Sequence, residues 1–115
     1  MGGIEERYER GMALKCDGDY DGALAEFAAV VELDPCSSEG HRQMGLVYGF
    51  MGLFDESLQE LLTAVQLAPC NLQSRNDLAL TYAMLGMADE AKAEFEAVLV
   101  ADPENDVARR NMVYF

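Results

Sequence analysis

His41 is the one histidine in this chain, so it is the first residue to examine for acid–base or metal chemistry. Catalysis needs a nucleophile or an acid–base pair held in a pocket. His41 has no such partner in the sequence and falls in a column of packing positions. Glu26, Glu60 and Glu94 recur at a fixed step of 34 residues, the pattern of a repeated helix surface and not of a paired acid site. Cys16, Cys36 and Cys70 are an odd set without CxxC spacing, which argues against both zinc ligation and a disulfide framework. Reduced thiols are expected. Neither a glycine-rich phosphate loop nor an HExxH or EF-hand pattern occurs. The expectation is a chain without catalytic residues, metal or cofactor.

The elements that carry these residues repeat. Pro35, Pro69 and Pro103 are each 34 residues apart, and so are Gly18, Gly52 and Gly86. Glycine suits the left-handed residue just past a helix. Asp21, Asp55 and Asp89 follow each glycine as expected caps of the next helix, and Ser37, Asn71 and Asn105 form a second capping column two residues after each proline. Between these marks the apolar columns fall at helical spacing: Leu14, Tyr48, Tyr82; Ala23, Ser57, Ala91; Phe27, Leu61, Phe95; Val30, Ala64, Val98. The pattern predicts helices over 4–17, 21–33, 38–51, 55–67, 72–85 and 89–101, and a seventh over 106–113. Gly11, Gly45 and Ala79 form a small-residue column where paired helices can approach closely.

Period and columns resemble the tetratricopeptide repeat, whose pattern runs W-x2-L-G-x2-Y, then A-x3-F, then P. Here the units read R-x2-R-G-x2-L, A-x3-F, P; then H-x2-M-G-x2-Y, S-x3-L, P; then R-x2-L-A-x2-Y, A-x3-F, P. Arg7, His41 and Arg75 replace the family's tryptophan. The resemblance implies an all-α fold, a right-handed superhelical stack of antiparallel helix pairs. Its units are 4–37, 38–71 and 72–105, closed by a capping helix over 106–115, and together they make one domain.

Composition narrows the partner. Twenty-one acidic against eight basic residues in 115 give a net charge of −13, which argues against nucleic acid or an anionic membrane surface. The longest apolar run, GLVYGFMGLF over 45–54, is too short to span a bilayer, and the opening residues have no signal-peptide core. A cytoplasmic protein is expected.

In the family the first helices of successive repeats line a concave, peptide-holding groove. The resemblance therefore places candidate peptide-binding residues at Tyr8, Met12, Arg42, Gln43, Leu46, Phe50, Asn76, Asp77, Leu80 and Met84. Leu46, Phe50, Leu80 and Met84 are expected to bury partner surface, Arg42 and Asn76 to fix register, and Gln43, Asp77 and Arg110 to form a polar rim. One subfamily grips C-terminal carboxylates of chaperone tails with Lys, Asn and Arg. The matching positions here are Tyr8, Met12, Gln43, Gln73 and Asp77, so that clamp is missing. The expected role is a non-catalytic interaction module or scaffold for a partner peptide, hydrophobic with basic flanks. Two alternatives stand beside it: self-association through the apolar C-terminal end to form a homo-oligomer, and a role resembling secretion chaperones that hold hydrophobic segments.

Overall fold

The computed structural model describes residues 3–115 and contains, among them, seven α-helices: α1 (Ile4–Cys16), α2 (Tyr20–Leu33), α3 (Ser38–Phe50), α4 (Phe54–Leu67), α5 (Leu72–Met84), α6 (Ala88–Ala101) and α7 (Asp106–Met112). Each boundary lies within a residue of the sequence expectation. The reason is local chemistry at the ends. Gly18, Gly52 and Gly86 take φ of 82°, 77° and 77°, the left-handed conformation that a Cβ disfavours. At each, two backbone bonds close the helix: Gly18 N donates to Lys15 O and Asp19 N to Leu14 O, with the same pair at Gly52 and Gly86. This double closure satisfies carbonyls that the helix leaves open.

The second helix of every pair stops differently. Asp34, Ala68 and Asp102, each preceding a proline, have φ of −139°, −139° and −143°, because the pyrrolidine ring pushes the preceding residue out of the helical region. Two residues past each proline, Ser37, Asn71 and Asn105 accept hydrogen bonds from the backbone N–H of Gly40, Ser74 and Ala108. That capping column forms as expected. The aspartate column does not: α2, α4 and α6 begin one residue early, so the caps are Asp19, Leu53 and Met87, and only Asp19 caps through its side chain. Asp21, Asp55 and Asp89 lie inside the first turn, where their charge favours the positive end of the helix dipole.

Consecutive helices pack as antiparallel neighbours, and each pair stacks on the next, giving a body of 46 × 25 × 20 Å. The second helices supply the core at i, i+4 and i+7: Ala23, Phe27, Val30; Ser57, Leu61, Ala64; Ala91, Phe95, Val98, all at most 2% exposed. The first helices meet them with Gly11, Gly45 and Ala79, all buried. Ser57 is the polar member, and its hydroxyl donates to Gly45 O at 2.7 Å. Among the described residues no helix is long and apolar enough to cross a membrane, and no group of three or more His, Cys, Asp or Glu could hold a metal.

Candidate functional site

The run GLVYGFMGLF carries more apolar surface than packing consumes. Its Val47 is fully buried, whereas Phe50 is 61% exposed. On the next first helix, Met84 is 63% exposed and Leu80 37%. These three side chains, with Leu46, Phe54 and Asp77, line an open hollow of about 210 Å³ between α3, α4 and α5. Phe50 is fixed there by stacking on Tyr20 of α2, ring centroids 5.7 Å apart. Five of the ten expected residues, Leu46, Phe50, Asp77, Leu80 and Met84, thus meet around one hollow. Phe54, at the start of α4, was not among them, because a second-helix residue reaches this hollow only through the turn at Gly52.

The polar members form a network running from α1 across α3 to α5. Glu39 is its centre: Oε1 accepts from Tyr8 OH at 3.0 Å, Arg42 Nη1 at 3.1 Å and Gln43 Nε2 at 2.9 Å. Arg42 Nε donates to Asp77 Oδ2 at 2.7 Å, and Lys15 Nζ to Gln43 Oε1 at 2.7 Å. Burial opposes the Arg42 charge, yet the hydrogen bond and charge of Asp77, followed by Glu39, hold its pKa above the ordinary value. Asp77 is raised, burial outweighing the help of Arg42, so its carboxylate sits at the hollow with part of its hydration removed. Burial, then the Glu39 charge, also raises Tyr8, while burial lowers Lys15.

The remaining expected residues lie elsewhere. Gln43, expected on a polar rim, is 3% exposed, because Lys15 and Glu39 enclose its amide. Asn76 is 6% exposed, and its Nδ2 donates to the capping Asn105 at 3.1 Å, on the side of α5 that faces α7. Met12 packs against the core of Ala23, Phe27 and Val47. Arg110 is exposed and donates to Asp106 O. Glu39 and Lys15 were not singled out from the sequence. Glu39 was findable, standing three and four positions before Arg42 and Gln43 on one helical face.

The tryptophan-replacing column has a role of its own. Arg75 donates to Pro69 O at 2.7 Å and to Glu94 at 2.9 Å, and His41 meets the equivalent atoms, Glu60 Oε1 at 2.7 Å and Pro35 O at 3.3 Å. Arg7 and Arg10 reach Glu26 at 4.0 and 3.1 Å. The repeated glutamates therefore pair within each unit, with side chains only 20–24% exposed. An imidazole carries its second N–H only when protonated, whereas a guanidinium always donates to both acceptors. His41→Arg is expected to gain about 0.5–1 kcal/mol. Urea unfolding would read this as a higher midpoint, and a lower midpoint would refute the equivalence of the two sites.

Residues 72–105 match the family model described as tetratricopeptide repeat. Comparison with curated protein sequences finds no match. Among solved structures, the first tetratricopeptide-repeat domain of Spaghetti (RPAP3) bound to the HSP90 peptide SRMEEVD superposes with a TM-score of 0.92 at 21% identity, covering 96% of this chain and 88% of that one. The second such domain of human RPAP3, in complex with the HSP70 peptide SGPTIEEVD, gives 0.88 at 20% identity, with 97% of each chain covered. The Arabidopsis OM64 domain gives 0.86 at 19% identity, covering 92% of this chain and 88% of that one. With its third helix pair matching the tetratricopeptide-repeat model by sequence and the whole chain matching by shape, the chain has the tetratricopeptide-repeat fold, three helix pairs closed by a seventh helix.

Proposed function

We propose that the chain is a non-catalytic protein-interaction module that takes an apolar segment of a partner polypeptide, carrying basic flanks, into the hollow between α3, α4 and α5. The observation that carries this reading is the convergence of Phe50, Leu80 and Met84, all exposed, on one apolar hollow. Large apolar side chains gathered at a surface usually mark an interaction site. Leu46, Phe50, Leu80 and Met84 would bury the partner's apolar side chain. Asp77, Arg42, Tyr8 and Gln43 would border it through their network, with Met12 and Asn76 holding the helices behind them. The chain's surplus of acid favours basic flanks.

Two of the similar structures hold peptides ending Glu-Glu-Val-Asp. Here the nearby cations are already engaged, Arg42 by Asp77 and Glu39 and Lys15 by Gln43. An acidic tail would have to displace those bonds, so it is not the ligand we assign. Exposed, unpaired Cys16, Cys36 and Cys70 fit a reducing, cytoplasmic setting.

The test is selection from a displayed random-peptide library, repeated with a Phe50→Glu, Met84→Glu variant whose helicity is first verified by circular dichroism. Recovered peptides should carry a large apolar residue beside Lys or Arg and bind the variant at least about tenfold more weakly, as truncated anchors do at interfaces. Peptides that bind both proteins equally, or measurable affinity for SRMEEVD, would defeat the assignment. A second reading rests on Val100, Val113 and Tyr114, which are 85%, 78% and 80% exposed near the C-terminal end. If that end joins copies of the chain, mass by light scattering rises with concentration and Tyr114→Glu abolishes the rise.

A further inference from the structure

A second hollow, of about 370 Å³, opens between the start of α1, the end of α2 and the start of α3. It shares no lining residue with the hollow between α3 and α5. Its walls are apolar, made by Ile4, Val30 and the ring of Tyr8, and its edge carries Glu5, Glu9 and Glu39. Tyr8 cannot swing in to fill it, because its ring packs edge-on against Phe27 at 5.7 Å and its hydroxyl is bonded to Glu39. Ile4, 40% exposed, leaves the opposite wall open to solvent.

The charge around this hollow is one-sided. No cationic side chain lines it among the described residues. Lys15 is turned towards Gln43, and Arg42 bridges Asp77 and Glu39, so of the three carboxylates Glu39 already has a cation while Glu5 and Glu9 do not. Arg7 and Arg10 reach Glu26 on α2. Three donors converge on Glu39 Oε1, while Oε2 has no protein partner among the described residues. Glu5 and Glu9 are exposed and form no ion pair among the described residues. An occupant complementary to this place has an apolar stem of several carbons and a cationic head, since carboxylates repel an anion and an uncharged apolar group would leave them unanswered.

We propose that the hollow between α1, α2 and α3 is a subsite for one arginine or lysine side chain of a partner polypeptide, its stem lying along Ile4, Val30 and Tyr8 and its head among Glu5, Glu9 and Glu39. The aromatic wall adds a face for a guanidinium. This site is independent of the apolar hollow assigned above, and it supplies a second point at which a bound segment would be read.

Small probes test it without a known partner. The amide spectrum of 15N-labelled protein is followed by NMR during titration with n-butylguanidinium and, separately, with the uncharged isostere n-butylurea. The expected result is saturating shifts from butylguanidinium at the amides of Tyr8, Glu9, Val31 and Ser37, with butylurea at least about tenfold weaker, because the Coulomb attraction of nearby carboxylates acts on the cation alone. A Glu5→Gln, Glu9→Gln variant, changed only at exposed positions, should keep its helicity by circular dichroism and bind the cation at least about fivefold more weakly. The Phe50→Glu, Met84→Glu variant should respond as the parent does, so failure of the apolar hollow would leave this subsite standing. Equal response to both probes would overturn the proposal, as would shifts spread evenly over the acidic helix starts at Asp55, Glu56, Asp89 and Glu90, or no saturable shift at all.

Discussion

Gly45→Leu is expected to unfold the central repeat and lower the melting temperature by more than about 10 °C. A Cβ placed on Gly45 would lie 2.7 Å from Leu61 Cγ, 3.0 Å from its Cδ2 and 3.3 Å from the Ser57 backbone oxygen. The first atom is a branch point and the last is backbone, so neither can step aside the way the tip of a flexible side chain does. The helices α3 and α4 would have to separate, and the 2.7 Å bond from Ser57 to Gly45 O would break with them. Overpacking a close-packed core costs about 1–3 kcal/mol. Losing a buried hydrogen bond adds about 1 kcal/mol. Against a total stability of about 5–15 kcal/mol for an ordinary domain, that sum is large. Gly45→Ala brings the same Cβ against Leu61 and the Ser57 oxygen and should destabilise as well, by less than leucine because no further atoms follow it into the contact. Melting followed by circular dichroism measures both variants. A Gly45→Leu protein melting within two or three degrees of the parent, about 0.5 kcal/mol, would show that the α3–α4 approach is not so close.

What could be read beforehand followed the range of the interaction. Ser37, Asn71 and Asn105 cap through atoms three residues away, and Gly18, Gly52 and Gly86 close helices through bonds spanning three to five residues, so the chain itself displays the cause. The aspartate column was misplaced because a carboxylate one or two positions into a helix has the same sequence signature as one at the cap. Longer reach was harder to see. Arg42 looks like a free groove cation until Asp77, 35 residues on, is brought to 2.7 Å. Asn76 looks like a groove residue until Asn105, 29 residues on, takes its amide. Even so, these distances are close to one repeat, and pairs offset by about 34 residues are the places where an array's helices meet. The Arg75–Glu94 and His41–Glu60 pairs, 19 residues apart in both units, carried a legible signal: two columns of matched charge recurring together. The α1–α3 hollow carried none, since three separate helix ends build it.

Phe95→Ala should cost about 3–5 kcal/mol, the range for emptying a buried aromatic position, and should do so unevenly along the chain. Phe95 is fully buried with Ala79, Val98 and Ala108, and its ring stands 6.1 Å from that of Phe115. In a stack of repeats, each unit is held by its own packing and by its neighbours' interfaces. Among the described helices the third pair has a full repeat on one side and only the seven-residue α7 on the other. A cavity at Phe95 therefore loosens α6 and α7 together, because Leu72, Leu99, Val107 and Met112 pack on the same cluster. Hydrogen exchange should reveal protection lost first in α6 and α7, next in α5, and last in α1 to α4, as expected when local opening needs less free energy than global unfolding. Since Leu80 and Met84 form the α5 wall of the apolar hollow, peptides selected on the parent should bind this variant more weakly although no residue in contact with them has changed. The cation response at Tyr8 and Glu9, at the opposite end of the stack, should persist. Uniform loss of protection across all seven helices would mean that the three repeats open as a single unit, and the graded coupling argued here would be wrong.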